Sequence, residues 1–160
     1  MRKAAWIFLV IVCVCFCGCT AQSAPPRTTD FSCTVSVNAA GFCCEGTLER
    51  GAVGCLQLCC SSPDTLKGMR VALSGNSAVF SQNGREWECT IDGLSEEAVF
   101  LRLCRVMDAA ALSRGVGNGT VNGVCQNTPF TLTFDSKTGN LIQLDVPNWK
   151  FSVTFSDFCP

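Results

Sequence analysis

From residue 31 onward apolar and polar residues alternate along most of the chain, the period of two that marks half-buried β-strands. Phe31, Cys33, Val35 and Val37 fall on one face, and Ser32, Thr34 and Ser36 on the other. After Ala39-Ala40-Gly41 the chain resumes with Phe42, Cys44, Gly46 and Leu48 alternating with Cys43, Glu45, Thr47 and Glu49. The stretch Arg50-Gly51-Ala52-Val53-Gly54 then leads to Leu56, Leu58 and Cys60, so the two runs read as a hairpin. Ser61-Ser62-Pro63-Asp64 stops that strand, because proline has no N–H to give to a ladder. Further alternating runs cover Met69 to Leu73, Ala78 to Phe80, Trp87 to Ile91, Phe130 to Phe134, Leu141 to Val146 and Phe151 to Phe155. Asn83-Gly84 and the stretch around Gly139 mark tight turns between them. No repeat of 20–50 residues accompanies the alternation, which excludes a solenoid or propeller.

One segment switches to a helical period. Phe100, Leu103, Cys104, Met107 and Ala111 recur at three- and four-residue steps, which places them on one face of a helix. Ser95 is its expected N-cap, with Glu96 and Glu97 suited to the positive end of the helix dipole. A glycine-rich loop, residues 115–119, follows, and its Asn118-Gly119-Thr120 matches a glycosylation sequon by coincidence. The expected architecture is mainly β: a curved antiparallel sheet with one main helix packed against its apolar face.

The start of the chain carries a different signal. Arg2 and Lys3 precede a 13-residue uncharged apolar run, Ala4 to Phe16. A membrane-spanning helix needs about 20 such residues, whereas the core of an export signal needs about 7–15. Phe16-Cys17-Gly18-Cys19 then resembles the lipobox of bacterial lipoproteins, although Phe16 and Cys17 replace the usual Leu and Ala or Ser. The resemblance implies cleavage before Cys19 and a lipid thioether on it. Ordinary secretion, with cleavage near Ala21 or Ala24, is the alternative. Residues 20–30 are small, polar and proline-containing, and read as a tether. The expected organisation is a lipoprotein signal peptide over 1–18, a lipid-anchored flexible tether over 19–30, and one β domain over 31–160. That places the domain on the outer face of the cytoplasmic membrane.

Composition narrows the chemistry. The net charge is −1 with scattered Lys and Arg, so no basic face suits nucleic acid. The chain holds no His and no Tyr. Without His there is no Ser–His or Cys–His pair and no imidazole metal ligand, so neither an enzyme nor a metal or cofactor is expected. Glu45, Glu49, Glu88, Asp92 and Asp135 fall at turns or on polar strand faces and read as solvated surface. Ten cysteines follow the tether: Cys33, Cys43, Cys44, Cys55, Cys59, Cys60, Cys89, Cys104, Cys125 and Cys159. An even number in an exported chain suggests disulfides. Their placement on strand faces equally suits reduced thiols filling a core. Pairing Leu48 with Leu56 sets Cys44 opposite Cys60; shifting the register by two sets Cys43 opposite Cys59. Either pair is a candidate bridge.

The order of these features resembles a known family. It runs from the lipobox through Glu45-Gly46-Thr47-Leu48-Glu49-Arg50 and Ser62-Pro63 with Leu66-Lys67-Gly68-Met69 to the helix. Pro129-Phe130-Thr131-Leu132, Asp135, Thr138-Gly139-Asn140-Leu141 and a closing Phe151 with Phe155-Ser156-Asp157-Phe158 complete it. Residues 31–160 are similar to small lipoproteins of Gram-positive anaerobes related to the LolA and LppX superfamily. The resemblance implies an unclosed half-barrel whose concave face holds acyl chains. LolA-type carriers have a long amphipathic helix before the first strand, and this chain has none, so the lid falls to residues 95–112. On this reading a lipid or other hydrophobic ligand would be lined by Phe31, Val35, Leu56, Leu58, Phe130, Leu132 and Phe134, beneath Phe100, Leu103 and Met107. The competing function is a cell-envelope structural or protein-interaction lipoprotein with no ligand cavity.

Overall fold

A computed structural model describes residues 25–113 and 119–159. The signal segment, Cys19 and most of the glycine-rich loop lie outside the described residues. The nine alternating runs and the segment after the glycine-rich loop form the ten strands of the described residues: β1 (Phe31–Ala39), β2 (Phe42–Arg50), β3 (Cys55–Ser62), β4 (Arg70–Ser74), β5 (Ser77–Gln82), β6 (Arg85–Thr90), β7 (Thr120–Cys125), β8 (Thr128–Phe134), β9 (Leu141–Val146) and β10 (Phe151–Cys159). They make a single antiparallel sheet in the order β6-β5-β4-β3-β2-β1-β10-β9-β8-β7. The first six strands meander outward from the middle of the sheet. The last four meander back until β10 pairs with β1. Strands β6 and β7 are the two edges, so the sheet is an unclosed half-barrel.

One helix, α1 (Val99–Leu112), carries the chain from one edge to the other. It packs beside β7 and across β3 and β4. The apolar face of the sheet and α1 share one core, running from Val35 and Leu48 to Leu132, Leu144 and Val153. The mainly β architecture expected from the alternation is therefore the one found, with the one α-helix of the described residues on the concave face.

Three local expectations are corrected. Leu48 pairs with Leu58 rather than Leu56, and Gly46 with Cys60. The hairpin closes tightly through Ala52-Val53-Gly54, with Gly54 at φ +81°, a left-handed position natural to a three-residue turn. That moves the register two residues away from the Cys44–Cys60 pairing read from the sequence and four away from the Cys43–Cys59 pairing. Second, Ser95 is not the N-cap. Its Oγ accepts the Glu97 N–H at 3.2 Å and its carbonyl the Ala98 N–H at 2.9 Å, a local turn that uses up the capping oxygen. The helix starts four residues later, with Ala98 before it and no side-chain cap. Third, the buried helix residues are Leu101, Leu103, Cys104, Val106, Met107 and Ala110, while Phe100 and Ala111 are half-buried. A helix packed beside β7 and across β3 and β4 of a curved sheet buries more than one stripe.

Candidate functional site

The concave face is organised in cross-strand rows. Ladder pairing aligns Cys33, Leu48, Leu58, Val71, Phe80 and Trp87 on six successive strands, β1 to β6. Side chains directly opposite one another lie on the same side of a sheet, so this is one continuous apolar line. Its first four members are sealed, Phe80 is half-buried, and Trp87 is 52% exposed. A parallel row, Leu56, Leu73, Ala78 and Cys89, ends in a half-buried thiol. The face is therefore closed at its centre and open at the β5–β6 wing.

Nine of the ten expected lining residues are in the closed part. Phe31, Val35, Leu56, Leu58, Leu103, Met107, Phe130, Leu132 and Phe134 are all buried in the shared core. Phe100 is half-buried and meets Phe42 edge-on, ring centroids 5.9 Å apart. These side chains belong to one buried cluster with the inner residues of α1. The cavities described lie at the periphery. The largest, about 530 Å³, is at the end of the barrel where Arg27, Thr29 and Asp30 meet Phe31, Ser32 and Cys159. Trp87, which stands where the apolar face opens, was read from the sequence only as a strand residue. Its role depends on β6 being an edge, and pairing order is a long-range property.

Two contacts hold the helix over the sheet. At its far half, the fully buried Arg50 side chain donates to Asp108 of α1, to the Cys55 carbonyl at 2.9 Å and to the Thr28 carbonyl at 3.4 Å. Gly54 N–H also donates to the Asp108 carboxylate at 3.0 Å. The cluster thus ties α1 to the β2–β3 turn and to the segment entering β1. At the near half, the Arg102 guanidinium rests over the Trp149 ring at 4.9 Å. Arg50 occupies the buried phase of β2, two residues after Leu48. An arginine in that phase signals a buried carboxylate partner, and this was missed.

The described cysteines are all free thiols. Cys104 touches both Arg50 and Asp108, and burial, with the Asp108 charge, pushes it up to about 11. Burial, followed by the neighbouring Cys159, pushes Cys33 up to about 12. Cys44 and Cys60 face each other on the concave side. Their mutual hydrogen bond pushes Cys44 far up and draws Cys60 down. Cys43 and Cys59 lie on the convex side, where Cys59 opposes Thr47 and Cys43 opposes Asn38. Among the described residues no three Cys, Asp or Glu side chains converge as a metal would require. No helix among them is long and apolar enough to cross a membrane. Glu45, Glu49, Glu88 and Asp92 are exposed, and Asp135 caps its own turn.

No protein-family model matches the sequence, and no curated protein matches it. Among solved structures, a LolA superfamily protein from Nitrosomonas europaea aligns over 84% of this chain and 87% of its own, at 6% identity and a TM-score of 0.40.

Proposed function

We propose that this chain is an exported lipoprotein, of the kind found in Gram-positive anaerobes and related to LolA and LppX, that holds a hydrophobic ligand on the concave face of its half-barrel. Cys19 carries the lipid, residues 19–30 form the tether, and the domain works on the outer face of the cytoplasmic membrane. The chain binds and does not catalyse. The observation that supports ligand binding is the apolar row that runs unbroken from the sealed Leu48 and Leu58 to the half-exposed Trp87. A ligand first lies against Phe80 and Trp87. It reaches the deeper lining of Leu56, Leu58 and Leu103 by displacing α1 from its contacts at Arg50–Asp108 and Arg102–Trp149.

Covering the exposed half of a tryptophan removes about 100 Å² from water, worth roughly 2.5 kcal/mol. Trp87→Ala is therefore expected to weaken binding at least tenfold. The test is titration of the purified chain with cis-parinarate, a fluorescent fatty acid, read by energy transfer from tryptophan and by probe emission. Saturable binding that W87A weakens supports the reading; no saturable binding by wild type ends it. Metabolic labelling with an alkyne fatty acid, lost in Cys19→Ser, tests the anchor separately.

The burial of nine of the ten expected lining residues favours a second reading, a protein-interaction lipoprotein. Strand β6 offers its outer edge, and five of its six residues are exposed. A partner strand added there would also cover Trp87. Wild type that binds no parinarate, yet gains a partner dependent on β6, favours this reading over the first.

A further inference from the structure

We propose that Cys44 and Cys60 are the site of a single internal disulfide, closed between neighbouring strands β2 and β3 on the concave face. Both residues point into the core, at 2% and 4% exposure. They are diagonal neighbours, since Cys60 opposes Gly46 and Cys44 stands two residues further along β2. In a regular ladder diagonal neighbours are about 7–8 Å apart, just beyond the span of about 4.4–6.8 Å between the Cα atoms of a disulfide. This ladder is not regular. The register slips between Glu45 and Gly46, so that β3 carries one extra residue there. A Cβ built on Gly46 would lie 2.2 Å from the Cys59 carbonyl oxygen and 3.1 Å from the Cys60 Cα. The β3 backbone therefore leans over the space that any side chain at position 46 would fill. Position 46, which Cys60 opposes, places no side chain between them, and each thiol shifts the ionisation of the other.

The same geometry removes the alternatives. Cys59 opposes Thr47, four residues along β2 from Cys43, a separation of about 13 Å at strand rise. Cys159 opposes Ser32, on the face away from Cys33. Cys33 opposes Leu48, four residues from Cys44.

The oxidant is a small-molecule disulfide, with oxidised glutathione as the reagent. The Cys60 thiolate, favoured by the Cys44 thiol beside it, attacks one of its sulfurs, forming a mixed disulfide and releasing one reduced thiol. Cys44 then gives up its proton, and its thiolate attacks the Cys60 sulfur and releases the second. Two protons leave the protein, and its two electrons reduce the reagent to two thiols. The site is independent of the ligand proposed above.

The full chain is treated with oxidised glutathione at pH 8, its remaining thiols are alkylated, and it is cut with trypsin, which cleaves after Arg50 and so separates the two cysteines. Mass spectrometry is expected to find the two flanking peptides joined. The link persists in C43S and C59S, convex-face variants that leave the core untouched, and disappears in C44A and C60A. The closed loop of 17 residues, 44 through 60, raises Tm by about 10 °C relative to the reduced chain. Alkylation of both Cys44 and Cys60 after oxidation, a link that needs Cys43 or Cys59, or glutathione retained on Cys60 overturns the proposal.

Discussion

Arg50 and Asp108 lie 58 residues apart in the chain and meet as an ion pair between β2 and α1. The arginine side chain is wholly buried and the aspartate is 24% exposed. Removing one partner of such a pair strands the other as an uncompensated charge, at a cost of about 3–5 kcal/mol when both are buried. The partial exposure of Asp108 puts Asp108→Asn at the lower end, about 3 kcal/mol. Urea unfolding measures this. The double replacement R50M/D108L is expected to lose less than D108N alone, because it removes both charges together. A loss below about 1 kcal/mol in D108N would mean that water reaches the arginine.

Gly46 and Gly123 make a controlled comparison. Alanine at 46 would drive its Cβ against the backbone of β3, which cannot move without breaking the ladder. Alanine at 123 would meet the Phe130 ring tip at 2.4 Å, and a ring can swing. Overpacking costs typically about 1–3 kcal/mol. Gly46→Ala is expected at or above the top of that range and Gly123→Ala near the bottom, measured as shifts in urea midpoint. Equal losses would show that the bulge at Gly46 relaxes as freely as a side chain.

These particulars also show what alternation can and cannot encode. The strands were legible because each residue of the concave face recurs at every second position, from Phe31 to Phe155. The asparagine–glycine and Gly139 turns were legible because their chemistry is local. Register was not. It depends on a three-residue turn at Ala52-Val53-Gly54 and on one extra residue opposite Glu45 and Gly46, and neither changes the hydrophobic pattern. The helix start failed for a similar reason, since Ser95 serves a turn of its own. Of the site, nine of the ten expected lining residues were placed together by the pattern alone. The openness of the face at Trp87 was illegible, because it follows from which strand ends the sheet.

Asp135 gives an acid-side test. The backbone N–H groups of Thr138 and then Lys137 hold its carboxyl below the ordinary aspartate value. A depressed folded value means that the unfolded chain takes up the proton first as pH falls. The stabilisation is therefore present above about pH 4 and is lost as pH drops through the lower folded value. Asp135→Ala should remove that part of the acid dependence, giving a shallower fall in Tm between about pH 4 and pH 2. Parallel acid limbs in the variant and wild type would show that the turn holds without the carboxylate.

The buried thiols predict the opposite limb. Cys33 is pushed up to about 12 and Cys104 up to about 11, burial being the larger cause in each. An unfolded cysteine ionises near pH 8.5. Between that value and the folded ones, the unfolded chain has released protons that the folded chain retains, so unfolding is favoured as pH rises. The contribution is complete below about pH 8.5 and is lost as pH climbs through 11 and 12. Urea midpoints measured with a phosphine reductant should hold steady from about pH 7 to pH 8 and decline from about pH 9. Cys104→Ala starts lower, because it leaves a small void beside Arg50, but its midpoint should fall less steeply with pH. If the reduced wild type and C104A decline along parallel lines, Cys104 ionises as readily inside the barrel as outside it, and the seal that Arg50, Asp108 and α1 place over it is not there.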